Sequence, residues 1–494
     1  ADSAGGDCQE SYMIRTPSLA ALAASAALLL GGCTTTNNYN YPDKSRAASA
    51  ASETQAAGKA KNVILFIGDG MGISTVTAAR IYAGQKQGQS GEEYVLPFET
   101  FDNVALVKTY NTDAQVADSA GTASAMHTGV KTRIGVLGYG PGVTTGDCAS
   151  GSGHELGLLG EEVKQRGLAL GIVSTARLTH ATPASVYARS VSRDWEGDTA
   201  IPEDQRGRGC SDIAQQLVAA PFDVALGGGS VAFYGKQNGG LRLDDGADLP
   251  GDWQAATGGH FVTTAADLAA APADAPLLGL FSPSHMTYMV DRDAESSEPT
   301  LTDMTAAAVT RLAGDPDGFY LMVESGRIDH GHHAGQAGYA LEEAVEFARA
   351  IQWAIDNTDP AETLIMVTAD HSHVFTIAGY PRRGNDILGL VVPPAGGGGD
   401  DADPMLAADG QPYTTLGYAN GPGAVKHDAG AGRPTPETGV MAHQQALVPL
   451  GSETHAGEDV ALYANGPGAG SVRGVMEQNL IYDVIRKAYG WPAD

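Results

Sequence analysis

Short, wholly apolar runs recur along the chain, and several of them stop on a group that can bind a metal. Val63-Ile64-Leu65-Phe66-Ile67 leads into Gly68-Asp69, and Phe319-Tyr320-Leu321-Met322-Val323 stops at Glu324. The run that opens at Thr363 ends in Val367-Thr368-Ala369 and then Asp370-His371-Ser372-His373. A continuous apolar run suits a strand buried on both faces, as in a parallel sheet covered by helices, whereas a half-exposed strand alternates. Further runs at Leu168–Val173, Asp223–Leu226 and Leu278–Phe281 also predict strands, as do Phe319–Val323 and Thr363–Thr368. Between them, apolar residues at helical spacing predict helices over Thr75–Gly84, His154–Arg166, Leu301–Leu312 and Gly338–Ile355. No internal repeat is evident, and the alternation argues for a layered α/β domain. Ligand sites in open α/β sheets lie beyond the carboxyl ends of the strands. Asp69, Glu324, Asp370 and His371 are therefore expected to meet at one edge.

The N-terminal region departs from this pattern. Met13-Ile14-Arg15, the Ala- and Leu-rich stretch from Leu19 to Leu30, and Leu30-Gly31-Gly32-Cys33 look like a bacterial lipoprotein signal, with cleavage before Cys33 and lipid attachment to it. The apolar stretch is too short for a normal membrane span. Residues 1–12 precede Met13 and fit no signal pattern. Residues 33–61, polar and rich in Ala, Ser, Thr and Asn, read as a flexible tether, which leaves 62–490 for the main folded domain. From about Tyr380 to Met441 the texture becomes irregular, with Pro393-Pro394, four consecutive glycines and an acidic cluster. This predicts an insertion over 381–440, or a plain long loop.

Charge and cysteines narrow the class. With 30 Lys and Arg against 58 Asp and Glu, the net charge is −28, which disfavours nucleic acid and anionic membranes as partners and suits a salt-adapted surface. Of four cysteines, Cys8 precedes the signal and Cys33 is the lipid candidate. An exported chain meets an oxidising compartment, so Cys148 and Cys210 are expected to pair.

Candidate chemistry is densest after Glu324. Asp329 and His333 stand four apart, on one face of a predicted helix, and a carboxylate with an imidazole at that spacing suits zinc. His455 lies between polar turns and is a weaker candidate. Asp118-Ser119 stands at a helix N-terminus rich in small residues, where free N–H groups favour an anion. Ser119 there is a candidate nucleophile, and equally Asp118 or Ser119 is only an N-cap. Thr182 offers a hydroxyl to a hard metal ahead of Pro183, and either Arg189 or Arg193 could fork onto a phosphate. No Gly-x-Ser-x-Gly elbow is present.

Taken together, Ile67-Gly-Asp-Gly-Met-Gly72, Asp118-Ser-Ala-Gly-Thr122, Ala181-Thr-Pro183, Val323 to His333, Thr368 to His373 and Glu453 to Asp459 resemble the alkaline phosphatases, from about Asn62 to about Tyr489. Lys108–Thr112 and His371–Gly384 resemble the animal-type branch. The resemblance implies a three-layer α/β/α sandwich about a mostly parallel sheet, with a crown-like insertion over 381–440 at a homodimer interface. It implies hydrolysis of phosphate monoesters through a phosphoserine on Ser119, with Arg193, oriented by Asp118, clamping the phosphate. It further implies two zinc ions and one magnesium ion. Asp329, His333 and His455 would hold the first zinc, and Asp69, Asp370 and His371 the second. Asp69 would bridge to magnesium, whose protein ligands Thr182 and Glu324 complete. His180 and His330 stand where the best-known bacterial pattern has Asp and Lys, and where animal-type enzymes have His. Cys148 and Cys210 match an animal-type disulfide. A phosphodiesterase or sulfatase of the same superfamily is the alternative, and Ser119 argues against both. Small phosphate monoesters are the expected partners, and a bacterial periplasmic or outer-membrane-anchored location follows from the signal.

Overall fold

The structure is a computed structural model and describes residues 58–394, 403–424 and 433–492. The leader, Cys33 and most of the tether lie outside the described residues. Strands β1 (Asn62–Gly68), β2 (Asn103–Lys108), β3 (Ala169–Arg177), β4 (Val224–Gly228), β5 (His260–Val262), β6 (Leu277–Leu280), β7 (Phe319–Ser325) and β8 (Thr363–Ala369) come first along the chain. After them follow β9 (Ser372–His373), β10 (Phe375–Ile377), β11 (Leu416–Gly421), β12 (Ala446–Pro449), β13 (His455–Ala456), β14 (Val460–Asn465) and β15 (Gly474–Glu477). Ten of these form one sheet in the order β15-β2-β14-β8-β1-β7-β3-β4-β6-β5. β14 runs antiparallel to both its neighbours, β2 and β8, and the other adjacent pairs are parallel.

Both faces of the sheet are covered, which is why its central strands are largely apolar. β7 and β8 are buried at every position. Tyr320 of β7 reaches helix Ser119–Thr128, its hydroxyl 2.8 Å from His127 Nε2. Its neighbour Leu321 points the other way: β3 places Gly171 beside Leu321, and a Cβ at Gly171 would lie 2.5 Å from Leu312 on helix Leu301–Leu312. That helix packs with Ala337–Asn357, which packs in turn with Ile73–Lys86, on one face, while Ser119–Thr128, Leu159–Gln165, Ala181–Ala184 and Leu480–Tyr489 occupy the other. The result is the expected three-layer α/β/α sandwich.

The register levels the strand ends that matter. Ile67 lies opposite Glu324 of β7 and Thr368 of β8, and Ser174 of β3 lies opposite Glu324. Asp69, Glu324 and Asp370 therefore leave the sheet side by side. The predicted strands and helices are present with shifts of a few residues, except that helix 154–166 begins only at Leu159. Leu158 is extended and caps the helix by donating its N–H to the Glu161 carboxylate at 3.3 Å. The residues before it form a strap tied to Gly138 and Gly140.

The irregular segment contributes β11 to a small three-stranded sheet, antiparallel to β10 and parallel to β12. The Sγ atoms of Cys148 and Cys210 lie 2.18 Å apart, a disulfide that pins two loops separated by 62 residues. Among the described residues no helix is long and apolar enough to cross a membrane.

Candidate active site

Asp118 settles the question left open at the helix start. It is the N-cap of Ser119–Thr128, accepting the Gly121 N–H at 3.1 Å, so Ser119 is free to be the first helical residue. The cap carboxylate also works outward: Oδ2 accepts from Gly135 N at 3.0 Å and from Arg193 Nη1 at 3.1 Å. Arg193 Nη2 stands 3.0 Å from His180 Nε2, so the guanidinium is held from two sides beside the serine helix. Arg189 is turned away, bound to Glu161 and to the carbonyl of Leu156. The Ser119 hydroxyl is buried, 3.2 Å from His371 Nε2.

Around that hydroxyl the sheet edge collects oxygens with nothing to bind. Both Asp69 oxygens, Asp370 Oδ2, Glu324 Oε1 and Thr182 Oγ1 are buried without a hydrogen-bond partner, as are His180 Nδ1 and His371 Nδ1. A single stranded buried acceptor costs roughly 1–3 kcal/mol, and stranded carboxylates cost more. Burial, reinforced by the charge of Asp370, pushes the Asp69 carboxyl well above its usual range. Burial likewise raises Asp370, and Glu324 to about 7. Cations relieve all of this at once, and the donors fall into suitable groups: Asp69, Asp370 and His371 in one, and Asp69, Glu324 and His180 in another.

A third group forms on helix Arg327–His333 and the start of β13. His333 Nδ1 lies 2.6 Å from the Glu453 carbonyl oxygen and His455 Nδ1 lies 2.8 Å from that of Ala117. Carbonyls only accept, so both Nδ1 atoms carry a proton and Nε2 is the atom that each ring turns toward Asp329. Those two Nε2 atoms are 3.0 Å apart, and each is 3.3 Å from Asp329 Oδ1. Three ligand-type atoms converge here as they would around a metal ion.

His373 joins this group in space but differs from it chemically. Its Nε2 is 2.8 Å from Asp329 Oδ1 and its Nδ1 is 2.5 Å from Glu453 Oε2. With a carboxylate on each side, both nitrogens donate. Burial opposes the charge, but the bonds to Asp329 and Glu453 outweigh it and raise His373 to about 9. Burial equally opposes ionisation of Asp329, and the pull of His333, His373 and His455 overcomes it, holding that carboxyl well below its usual range. His373 thus donates to Asp329, within the same cluster of possible metal donors.

Apart from Arg189, every residue that the sequence proposed as metal ligand, nucleophile or phosphate clamp is brought here; Cys148 and Cys210 pair with each other, and Cys33 lies outside the described residues. His330 sits beside His180 with ring centroids 5.7 Å apart. Between them and the end of β3 comes His285, 4.1 Å from the His330 ring and 5.3 Å from that of His180, a neighbour the sequence reading missed. Burial pushes all three imidazoles down, His330 to about 3, so the trio is neutral. Nothing local to the loop after β6 marks His285. His373 had a signal: it alternates with His371, so both leave the strand end on one side.

A buried serine at a helix N-terminus, an arginine fixed beside it and three clusters of metal donors define a metal-assisted hydrolase of the phosphoryl-transfer type. Comparison with known proteins narrows this. The alkaline phosphatase family profile matches residues 60–491. The tissue-nonspecific alkaline phosphatase of Gallus gallus is 46% identical over 446 residues, 85% of this chain and 83% of that protein. The human tissue-nonspecific isozyme is 43% identical over 453 residues, 87% of this chain and 83% of that protein. Among solved structures, alkaline phosphatase from the Antarctic bacterium TAB5 matches with a TM-score of 0.61 and 23% identity, over 88% of this chain and all (100%) of that one. The Thermus thermophilus enzyme matches with a TM-score of 0.64 and 24% identity, over 90% of this chain and 95% of that one. The chain belongs to the alkaline phosphatase family. It is an enzyme that hydrolyses phosphate monoesters, it depends on metal ions, and nothing in the comparisons favours a diesterase or a sulfatase.

Proposed function

We propose that hydrolysis proceeds through a phosphoserine on Ser119 in a centre of two zinc ions and one magnesium ion. The observation that carries this reading is the set of partnerless buried donors gathered around one serine hydroxyl. Asp329, His333 and His455 would hold the first zinc, Asp69, Asp370 and His371 the second, and Asp69, Thr182 and Glu324 the magnesium. A variant of the TAB5 enzyme has magnesium in its M3 site. His180 stands with Asp69 and Glu324 beside the magnesium position, but its Nε2 accepts from Arg193, so its Nδ1 carries the proton and faces that group as a hydrogen-bond donor, not as a ligand. When bound, the ions supply Lewis acidity to the serine and leaving-group oxygens.

The chain's own groups do the rest. Ser119 Oγ, its proton lost to solvent water, attacks phosphorus while the P–O bond to the alcohol breaks, and the alcohol oxygen leaves on the opposite side and takes up a proton from water. Water then cleaves the serine ester, releasing phosphate and restoring the hydroxyl. Arg193 faces the equatorial oxygens, where negative charge spreads, and Asp118 with His180 holds the guanidinium in place for them. Arg193→Ala is expected to raise both KM and the inhibition constant of inorganic phosphate by about 10- to 100-fold, the worth of a charge-assisted fork. Unchanged phosphate inhibition would remove the clamp.

The reading as a whole is tested with p-nitrophenyl phosphate across pH 6–11, before and after EDTA and with Zn²⁺ and Mg²⁺ restored. Alkaline-optimal activity that both metals rebuild is expected. A fully metallated protein that hydrolyses the ester without ever forming a phosphoenzyme would defeat it.

Members of this family are generally exported or extracellular. For this chain we add a periplasmic or outer-membrane location with lipid on Cys33, tested by the mass of the mature N-terminal peptide. We add a homodimer through the 381–440 insertion, around which Tyr380, Leu406, Met441 and Leu447 leave large apolar side chains exposed. A monomer mass in sedimentation would remove it. The net charge of −28 further predicts that thermal midpoint and activity rise from low to molar NaCl as self-repulsion is screened. Indifference to salt would end the idea of salt adaptation.

A further inference from the structure

One fully buried carboxylate at the centre has no part in the mechanism above. Glu453 lies in the turn before β13, two residues ahead of His455, with a side chain that is 0% exposed. Its Oε1 accepts the Val374 N–H at 2.8 Å and its Oε2 faces His373 Nδ1 at 2.5 Å. Each carboxylate oxygen therefore has a partner, and Oε2 also stands 3.9 Å from His333 Nδ1, too far for a hydrogen bond. Its main chain is engaged as well. The Glu453 carbonyl oxygen accepts from His333 Nδ1 at 2.6 Å, and its N–H donates to the His333 carbonyl at 2.9 Å.

Following each donor of the first cluster outward shows what this does. His455 is fixed from behind by the Ala117 carbonyl. His333 is fixed by the Glu453 carbonyl. Asp329 is fixed by His373, and the far side of the His373 ring is fixed by the Glu453 carboxylate. Two of the three donors are thus oriented through one residue, by its main chain in one case and by its side chain in the other. An imidazole ring can turn about its Cβ–Cγ bond, so a donor aimed at Asp329 stays aimed only while its opposite nitrogen is held. Outer partners of this kind set ring orientation and typically govern metal affinity 10- to 100-fold.

We propose that Glu453 is a positioning residue for the first metal site, its carboxylate locking His373 so that His373 Nε2–H orients Asp329 as a ligand. This rests on the assignment of Asp329, His333 and His455 to the first zinc. It concerns affinity and needs no change in the chemical step.

The test is zinc affinity, measured by competition with a chromophoric chelator on the full chain, after the number of zinc ions bound by the parent has been established. Glu453→Leu keeps the volume and removes both hydrogen bonds. It is expected to weaken the first-site zinc at least about tenfold. Glu453→Gln, whose amide can still hold Nδ1, should recover affinity to within about threefold of the parent. Because the side chain acts through His373, His373→Leu should weaken zinc by a similar factor, and adding Glu453→Leu to it should cost nothing further. Parent-like affinity in Glu453→Leu overturns the proposal, as does a loss of equal size in the His373→Leu background. If Glu453→Leu does not fold, parent-like zinc affinity in His373→Leu overturns it alone. A parent that binds no zinc dependent on His333 and His455 would remove the ligand assignment and this role with it, whereas the other adverse outcomes remove only the role.

Discussion

Ser119→Ala is expected to cut turnover of phosphate monoesters by at least about 10³-fold while leaving the protein folded and able to bind phosphate. The size follows from the nature of the group: with no hydroxyl there is no covalent intermediate, and what survives is catalysis by the charged surroundings alone. The tolerance follows from the geometry. Ser119 is the first residue of its helix, and among the described residues the hydrogen-bond partner of its hydroxyl is His371, at 3.2 Å. Alanine therefore strands one weak contact and no charged partner, and it favours the helix. The cap is untouched, because the Asp118 carboxylate, not the serine, binds the Gly121 N–H. Arg193 remains anchored on Asp118 and His180, so the inhibition constant of inorganic phosphate should move by no more than a few-fold. Rapid quenching in acid with ³²P-labelled substrate should leave label on the parent and none on the variant. Acid-stable label on Ser119→Ala would sink the phosphoserine reading and direct attention to another nucleophile.

Legibility in the sequence followed how local each cause is. The central strands could be read because burial on both faces demands unbroken apolar runs, and their ends could be read because a carboxylate after such a run has few structural uses. Asp329 and His333 were legible through helix geometry, four residues being one turn. The edge of the sheet was not. β2 carries exposed Val104 and Leu106, and β14 and β15 pair with β2 across more than 350 residues of chain, so no local period announces them. Arg189 and Arg193 could not be separated from sequence, since both follow the same short helix. The choice falls to Glu161, which captures Arg189 from another helix. His285 and Glu453 were invisible for a similar reason: each matters for what the fold brings opposite to it. Helix 154–166 was drawn too long because Glu161 reads as an interior helix former, when in the structure it is the residue that closes the cap at Leu158.

The metal-free protein is expected to lose on the order of 3 kcal/mol of stability between pH 6.5 and pH 9, the range in which most proteins are insensitive. The decisive group is His373. It titrates from its ordinary 6.5 in the unfolded chain, and at about 9 in the folded one. A group whose folded value is raised contributes stability that is complete below 6.5 and is lost as pH climbs through 9. Glu324, raised from 4.5 to about 7, and Asp69, raised by burial and by Asp370, act with the same sign, since the folded state keeps protons that the unfolded state has released. The buried histidines whose values are lowered, His127, His180, His330, His332 and His371 among them, act oppositely. Their window closes at 6.5, above which they are neutral in both states, so at lower pH they mask the carboxylates and at higher pH they contribute nothing. Asp329, held low, matters only in acid. Metal ions reverse the dependence above 6.5, because they bind the deprotonated carboxylates and displace the protons that the empty site retains. Denaturant unfolding of EDTA-treated protein at half-unit steps of pH should therefore show a falling midpoint from 6.5 to 9, and metal-loaded protein should show a level or rising one. A level curve in the metal-free protein would mean that His373 is not charged between its two carboxylates, and the description of it as a donor to Asp329 would have to be abandoned.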